Sequence, residues 1–129
     1  MIKKFRLLTS ENCKEIREKI KEIESEDGKK TAGSFAQQIK NNRQITVENE
    51  KARPLLQAIY NQLYNHAGFK VYAFPKNINR AMINIHGPGE FYGRHVDNTW
   101  MQSTKSSNRA DISFTVFLEE PDKYTGGEL

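Results

Sequence analysis

One cysteine, Cys13, is all this 129-residue chain carries. That excludes an internal disulfide, and it suits a reducing compartment such as the cytoplasm. Cys13 has no motif around it and falls on the apolar stripe of an expected helix, which argues against a nucleophilic role. Long hydrophobic runs are missing too. Nothing approaches the roughly 18 apolar residues of a membrane span, and Met1-Ile2-Lys3-Lys4-Phe5-Arg6 is not followed by an apolar signal region. Charge of one sign is lacking: 20 Lys and Arg face 16 Asp and Glu, for a net charge of +4, with acids scattered among bases. Such a balance argues against nucleic acid as the main partner and leaves room for a small anion, a dicarboxylate or a phosphate. Familiar nucleotide and hydrolase signatures are absent. Gly28-Lys29-Lys30-Thr31 has the ending of a phosphate loop, but Ile23 stands where its first glycine belongs; Gly87-x-Gly89-x-x-x-Gly93 misses dinucleotide spacing and contains Pro88; no G-x-S-x-G occurs.

With 36% hydrophobic and 28% charged residues, the chain reads as one soluble, rather polar domain. Residues 2–8 form a short mixed segment expected as an edge strand. Ser10 is placed to cap a helix running to about residue 26, with Cys13, Ile16, Ile20 and Ile23 on one face and Gly28 as its stop. Residues 27–33 suggest a turn, followed by a polar stretch from 37 to 44. Ala52, Leu55, Leu56, Ile59, Tyr60 and Leu63 predict a second helix over 50–66. Pro54 is comfortable only in a first turn, which moves the start towards Arg53, and Gly68 should close the helix. His66, near that end, reads as structural.

Beyond Gly68 the pattern turns to β. Strands are expected over 69–74, 78–85, 92–97 and 111–118, with a sharp turn at Gly87-Pro88-Gly89 and loops over 101–108 and 120–127. Helices followed by strands predict an α+β fold: a helical support region over 1–68, then an antiparallel sandwich or barrel over 69–129.

The chemistry concentrates in Tyr92-Gly93-Arg94-His95-Val96-Asp97-Asn98. In a strand, residues i and i+2 project to one side, so His95 and Asp97 can aim an imidazole nitrogen and a carboxylate oxygen at one point. Those are two members of the 2-His-1-carboxylate triad that holds non-haem Fe(II) and leaves positions open. The competing reading is a histidine hydrogen-bonded to a nearby acid.

Residues 83–98, Ile-Asn-Ile-His-Gly-Pro-Gly-Glu-Phe-Tyr-Gly-Arg-His-Val-Asp-Asn, resemble the iron-binding region of PKHD-type hydroxylases. These are relatives of prolyl 4-hydroxylases among the Fe(II)- and 2-oxoglutarate-dependent dioxygenases. The resemblance continues through 109–118 and 121–129, with a weaker echo in 27–33 and 39–42. It implies a double-stranded β-helix (jelly roll) in which His95 and Asp97 are iron ligands. It also implies Fe(II) as cofactor and 2-oxoglutarate and O2 as cosubstrates, with decarboxylation to succinate driving hydroxylation of a C–H bond; ascorbate support is left open. Tyr92, His86 and Asn98 become candidates for the oxo acid or for hydrogen bonds behind the ligands. His86 stands where relatives commonly carry tyrosine, and a strand role competes with ligand binding there, as a turn role does for Asn98.

The family's distal iron-binding histidine, and the arginine that pairs with the far carboxylate of 2-oxoglutarate, follow Gly-Gly-Glu-Leu by several tens of residues. Arg94 and Arg109 do not occupy the arginine's place. A jelly roll needs about eight strands, and only about four or five are expected here, so the core is expected to be incomplete in this chain, as in a fragment. Uncovered apolar faces and strand edges are the expected consequence. Two functions follow from different classes: the iron-dependent hydroxylase, or a non-catalytic β module that binds a protein or nucleic acid. The ligand pair in its specific setting favours the first.

Overall fold

The structure, a computed structural model, describes residues 2–102 and 107–127. The middle of the expected 101–108 loop and the closing Glu128-Leu129 lie outside the described residues.

Helix α1 (Ser10–Lys21) takes its cap one residue before the expected Ser10. Thr9 is extended and its Oγ1 accepts from the Asn12 N–H at 3.1 Å, satisfying one of the helix's orphan donors. The Ser10 hydroxyl instead donates to Glu120 Oε1 at 2.9 Å. The helix stops at Lys21, short of the expected residue 26, and Ile23 turns inward to become buried. Helix α3 (Arg53–Asn65) follows its pattern closely: Pro54 sits in the first turn, and Leu55, Leu56, Ile59 and Leu63 are buried.

Where a strand was expected over 69–74 the chain forms a further helix, α4 (Ala67–Ala73), with Gly68 inside it. The deciding contact is His66 Nδ1, which accepts from the Phe69 N–H at 3.0 Å and caps the new helix. Phe69 is buried, so one local cap and one anchored ring override the β preference of Phe, Val and Tyr. The structural role expected for His66 holds, exercised by a neutral acceptor nitrogen. The edge strand expected over 2–8 forms no ladder; Phe5 and Leu7 pack instead against Ile59, Leu63 and Phe69.

Two short helices and strands fill the weakly patterned middle: β1 (Glu26–Asp27), a 3-10 turn over Gly28–Thr31, α2 (Ser34–Gln38), β2 (Lys40–Asn41) and β3 (Arg43–Ile45). Downstream come β4 (Ile83–Ile85), β5 (Phe91–Tyr92), β6 (Trp100–Gln102) and β7 (Ser107–Arg109). All pairing is antiparallel. One sheet has the order β1-β3-β4, with Glu26 opposite Gln44 and Ile45 opposite Ile83; β2 pairs with β5 and β6 with β7. Ile45 and Ile83 pack with Ile23, Ala52, Leu55 and Leu56 to form the main core. The fold is thus mixed helix and antiparallel sheet, with no barrel among the described residues.

The expected strands over 78–85 and 92–97 shrink to 83–85 and 91–92, and 111–118 forms no ladder. A strand's hydrogen bonds must be met by a neighbour, and none lies alongside 111–118 among the described residues. Its alternation survives only in part. Val116 reaches the core beside Phe69, and Phe114 meets the Phe69 ring edge-on at 6.1 Å, while Ile112 and Phe117 are exposed. Among the described residues no helix is long and apolar enough to cross a membrane.

Every second residue from 40 to 44 is polar and buried: Lys40, Asn42 and Gln44. Gln44 Oε1 accepts from Thr31 Oγ1 at 2.7 Å and from Lys40 Nζ at 3.3 Å, and its Nε2 donates to Glu26 Oε1 at 3.3 Å. Asn42 donates to Asn84 Oδ1 at 3.3 Å, and the Gly28 N–H donates to the Asn42 carbonyl at 2.9 Å. That approach requires glycine, because a Cβ on Gly28 would lie 1.9 Å from Asn42 Oδ1. Gly28→Ala is therefore expected to lower stability by about 1–3 kcal/mol, the usual cost of forcing extra volume into packed space. The check is the urea midpoint at unchanged slope; an unmoved midpoint would mean that Asn42 gives way freely.

Candidate metal centre

The site grows from the β2–β5 ladder, where Lys40 lies opposite Tyr92 and Asn41 opposite Phe91. Entry to β5 is a tight turn. The Glu90 N–H donates to the Gly87 carbonyl at 3.0 Å, the Gly87 N–H donates back to Glu90 Oε2 at 2.6 Å, and Gly89 takes a left-handed φ of 77°. The Gly87 N–H, with help from the Arg43 guanidinium, holds the Glu90 carboxyl below its ordinary pKa against desolvation. At the exit, the Gly93 N–H donates to the Ile39 carbonyl at 2.7 Å, which ties the following loop to β2.

His95 and Asp97 lie in that loop and not in the expected strand, yet they meet: His95 Nε2 is 3.2 Å from Asp97 Oδ1. The other ring nitrogen, Nδ1, is 2.8 Å from the Gly93 carbonyl. A carbonyl oxygen only accepts, so this contact assigns the hydrogen of the neutral ring to Nδ1 and leaves the Nε2 lone pair facing a carboxylate. Two acceptors at that distance repel unless a proton or a cation lies between them. Two donors each about 2.1 Å from a divalent ion, at right angles, would stand about 3.0 Å apart. The same distance serves the histidine–acid hydrogen bond that competes with the metal reading and two adjacent positions around a divalent ion, for which the donor set suits Fe(II). No group of three His, Cys, Asp or Glu side chains able to hold a metal occurs among the described residues, so the candidate site brings together two donors.

The neighbours divide into those aimed at the pair and those used elsewhere. The Tyr92 ring stacks on the His95 imidazole, with centroids 3.8 Å apart and planes 14° from parallel. Desolvation, helped by the Asp97 charge, raises the Tyr92 phenol above its ordinary pKa. His86 is held below its ordinary pKa, chiefly by desolvation, with Lys40 adding and Glu90 opposing, so it lies beside the same turn and within electrostatic reach of Lys40. Asn98 Oδ1 accepts from the Trp100 N–H at 3.0 Å, which is the turn role weighed from sequence. Arg94 is exposed, and Arg109 pairs with Asp111 at 2.8 Å.

Sequence reasoning passed over Lys40. It sat in a stretch read only as polar, but it is buried, and its Nζ lies 4.9 Å from the centre of the Tyr92 ring. Desolvation pushes its pKa down, with Asp27 opposing. The only available signal was period-two spacing of Lys40, Asn42 and Gln44, which resembles a solvent-facing strand edge as much as a buried one.

Comparison with known proteins adds a lineage. A PKHD-type hydroxylase of Synechococcus elongatus is 38% identical over 123 residues, 95% of this chain and 55% of the relative. One from Prochlorococcus marinus is 43% identical over 110 residues, 85% of this chain and 48% of the relative. A third, from Picosynechococcus, is 38% identical over 123 residues, 95% and 54% of the two chains. The chain spans about half the length of the curated relatives it matches. No family model and no solved structure matches it.

Lys40 makes a pH prediction. Its folded pKa lies below the unfolded value of about 10.4, so between those two values the unfolded chain binds more protons and stability rises with pH. Below the folded pKa the cost of burying the charge is fully present. Lys40→Met should remove this rise, so stability against pH, wild type minus variant, should climb on the alkaline side. A flat difference would mean that the ammonium is well solvated.

Proposed function

We propose, for a chain that belongs to the PKHD-type hydroxylases, that it carries the first part of an Fe(II)- and 2-oxoglutarate-dependent hydroxylase site. His95 Nε2 and Asp97 Oδ1 would hold the metal. The observation that carries this reading is their 3.2 Å approach, with Nδ1 committed to the Gly93 carbonyl. In this reading the described sheets belong to a jelly roll, and the third ligand and the oxo-acid arginine are not among the described residues.

Fe(II), with 2-oxoglutarate and O2, supplies the oxidising chemistry: one oxygen atom enters a substrate C–H bond while the oxo acid loses CO2 and becomes succinate. The protein's residues do the rest. A neutral imidazole and one carboxylate leave net positive charge on a divalent ion, which favours an anionic oxo acid. Gly93 fixes the His95 tautomer through its carbonyl, a contact behind the ligand of the kind that orients metal-binding histidines. His86, held below its ordinary pKa, stays neutral near pH 7 and offers one N–H to an anion. Tyr92, protonated at that pH, can donate its hydroxyl hydrogen. Asn98 has one lone pair of its oxygen engaged by Trp100 and can still offer its amide nitrogen to a ligand.

Four arginines give the nucleic-acid form of the binding-module alternative no concentrated field. Arg17, Arg43, Arg80 and Arg109 each lie against a carboxylate, on Glu119, Glu90, Glu48 and Asp111. Such pairing disperses the field that attraction to nucleic acid needs.

Anaerobic titration with Fe(II), or with Mn(II) followed by electron paramagnetic resonance, tests the proposal. Weak binding is expected for residues 1–129, with little or no succinate formed. His95→Ala and Asp97→Ala should each weaken binding by at least roughly tenfold, since even partners behind a ligand cost that much. Equal affinity in both variants and wild type would sink the assignment.

A further inference from the structure

A ligand on a loop needs something to aim it. His95 has no strand ladder around it. One restraint is the Gly93 carbonyl; the other is the Tyr92 ring, stacked 3.8 Å from the imidazole. Tyr92 belongs to a ladder only two residues long, and its partner across that ladder is Lys40.

The surroundings of Lys40 are unusual for a cation. It is 4% exposed, and no carboxylate pairs with it among the described residues. Its Nζ lies 3.3 Å from Gln44 Oε1, 3.5 Å from Thr31 Oγ1 and 4.9 Å from the Tyr92 ring centre. An ammonium has three hydrogens. Two neutral oxygens and one aromatic ring make three acceptors, so the ring completes the set. A desolvated cation–π contact is worth more than an exposed one, and its strength depends on ring position.

We infer that Lys40 is a positioning residue for the metal-binding imidazole: by holding the Tyr92 ring through a buried cation–π contact, it sets the plane on which His95 stacks. This rests on the reading of His95 as a metal ligand. Lys40 touches neither metal nor substrate. Gln44 and Thr31 orient the ammonium, the ammonium holds Tyr92, and Tyr92 presents one flat surface to the imidazole, which with the Gly93 contact fixes the direction of Nε2. Lys40 reaches this place because β2 leads straight from the β5 ladder into the buried row of Asn42 and Gln44.

The experiment separates charge from bulk in the 129-residue chain. Lys40→Met keeps the length of the stem without the cation; Lys40→Arg keeps the cation. Two readouts are taken: NMR shifts of the His95 ring protons in metal-free chain, and the Mn(II) dissociation constant. Stacking should displace the wild-type His95 ring protons upfield. Lys40→Met is expected to return them towards unstacked values and to weaken Mn(II) binding about tenfold, the lower range for loss of a partner behind a ligand. Lys40→Arg should restore both in part. In a Tyr92→Leu background, Lys40→Met should change neither, because the route through the ring is already gone.

His95 protons that stay shifted in Lys40→Met, or effects that add to those of Tyr92→Leu, would overturn the inference. Should Lys40→Met fail to fold, wild-type spectra decide it. Nuclear Overhauser contacts from the Tyr92 ring to both the Lys40 ε-methylene and the His95 ring support the inference, and their absence refutes it. Absence of Mn(II) binding by the wild type would overturn the metal reading alone, since the ring shifts are measured without metal.

Discussion

The five residues from Lys40 to Gln44 must serve two sheets at once. Lys40 and Asn41 pair with β5, Arg43 to Ile45 form the middle strand of the β1-β3-β4 sheet, and Asn42 is the one residue between them. So short a join keeps the strand alternation, with Asn41 and Arg43 exposed and the residues between and beside them turned inward. Lys40, Asn42 and Gln44 are buried as a consequence. Much else follows from this constraint. Gly28 must lack a side chain to pass Asn42, Thr31 and Glu26 must be near enough to satisfy Gln44, and Tyr92 must lie opposite buried Lys40.

The arrangement holds because each polar group finds most of its partners. A hydrogen bond to a charged group contributes about 1.5–3 kcal/mol net, and a desolvated cation–π contact about 2 kcal/mol. An unpaired buried ion costs several kcal/mol. Gln44 Oε1, Thr31 Oγ1 and the Tyr92 ring together come within reach of that cost for Lys40, and no single one does. The set is cooperative: removing one member leaves the others buried and short of a partner. Asn42 Oδ1 already finds none among the described residues, beside the Gly28 backbone that crowds it.

How much of this was readable beforehand differs by element. Helix α3 was legible because its apolar spacing and Pro54 agree on one boundary, and burial then enforces it. Helix α1 was legible to within one residue at its start, since Thr9 and Ser10 are equally good caps by type and only geometry separates them. Helix α4 was not legible, because its cap is a histidine and its residues prefer strands. The 111–118 alternation is real, but a ladder needs a neighbour that local pattern does not reveal. Lys40 was invisible for a related reason: period two states that side chains alternate, not which face is covered.

The pairing of His95 with Asp97 was foreseen, though on a different geometry. In an extended strand, residues i and i+2 point the same way but their Cα atoms stand about 6.6 Å apart, and parallel side chains keep much of that separation. Here Gly93 closes on Ile39, and its carbonyl draws the His95 ring back over the chain by its Nδ1. The loop therefore converges two donors that a straight strand would only align. Convergence on a loop has a weakness that a strand lacks, namely freedom about each backbone bond. The Tyr92 stack removes part of that freedom at the imidazole, while Asp97, more than half exposed, has no comparable brace. The candidate site is accordingly uneven: one donor is set from behind by fixed groups, and the other would be drawn into place by the charge of a bound cation.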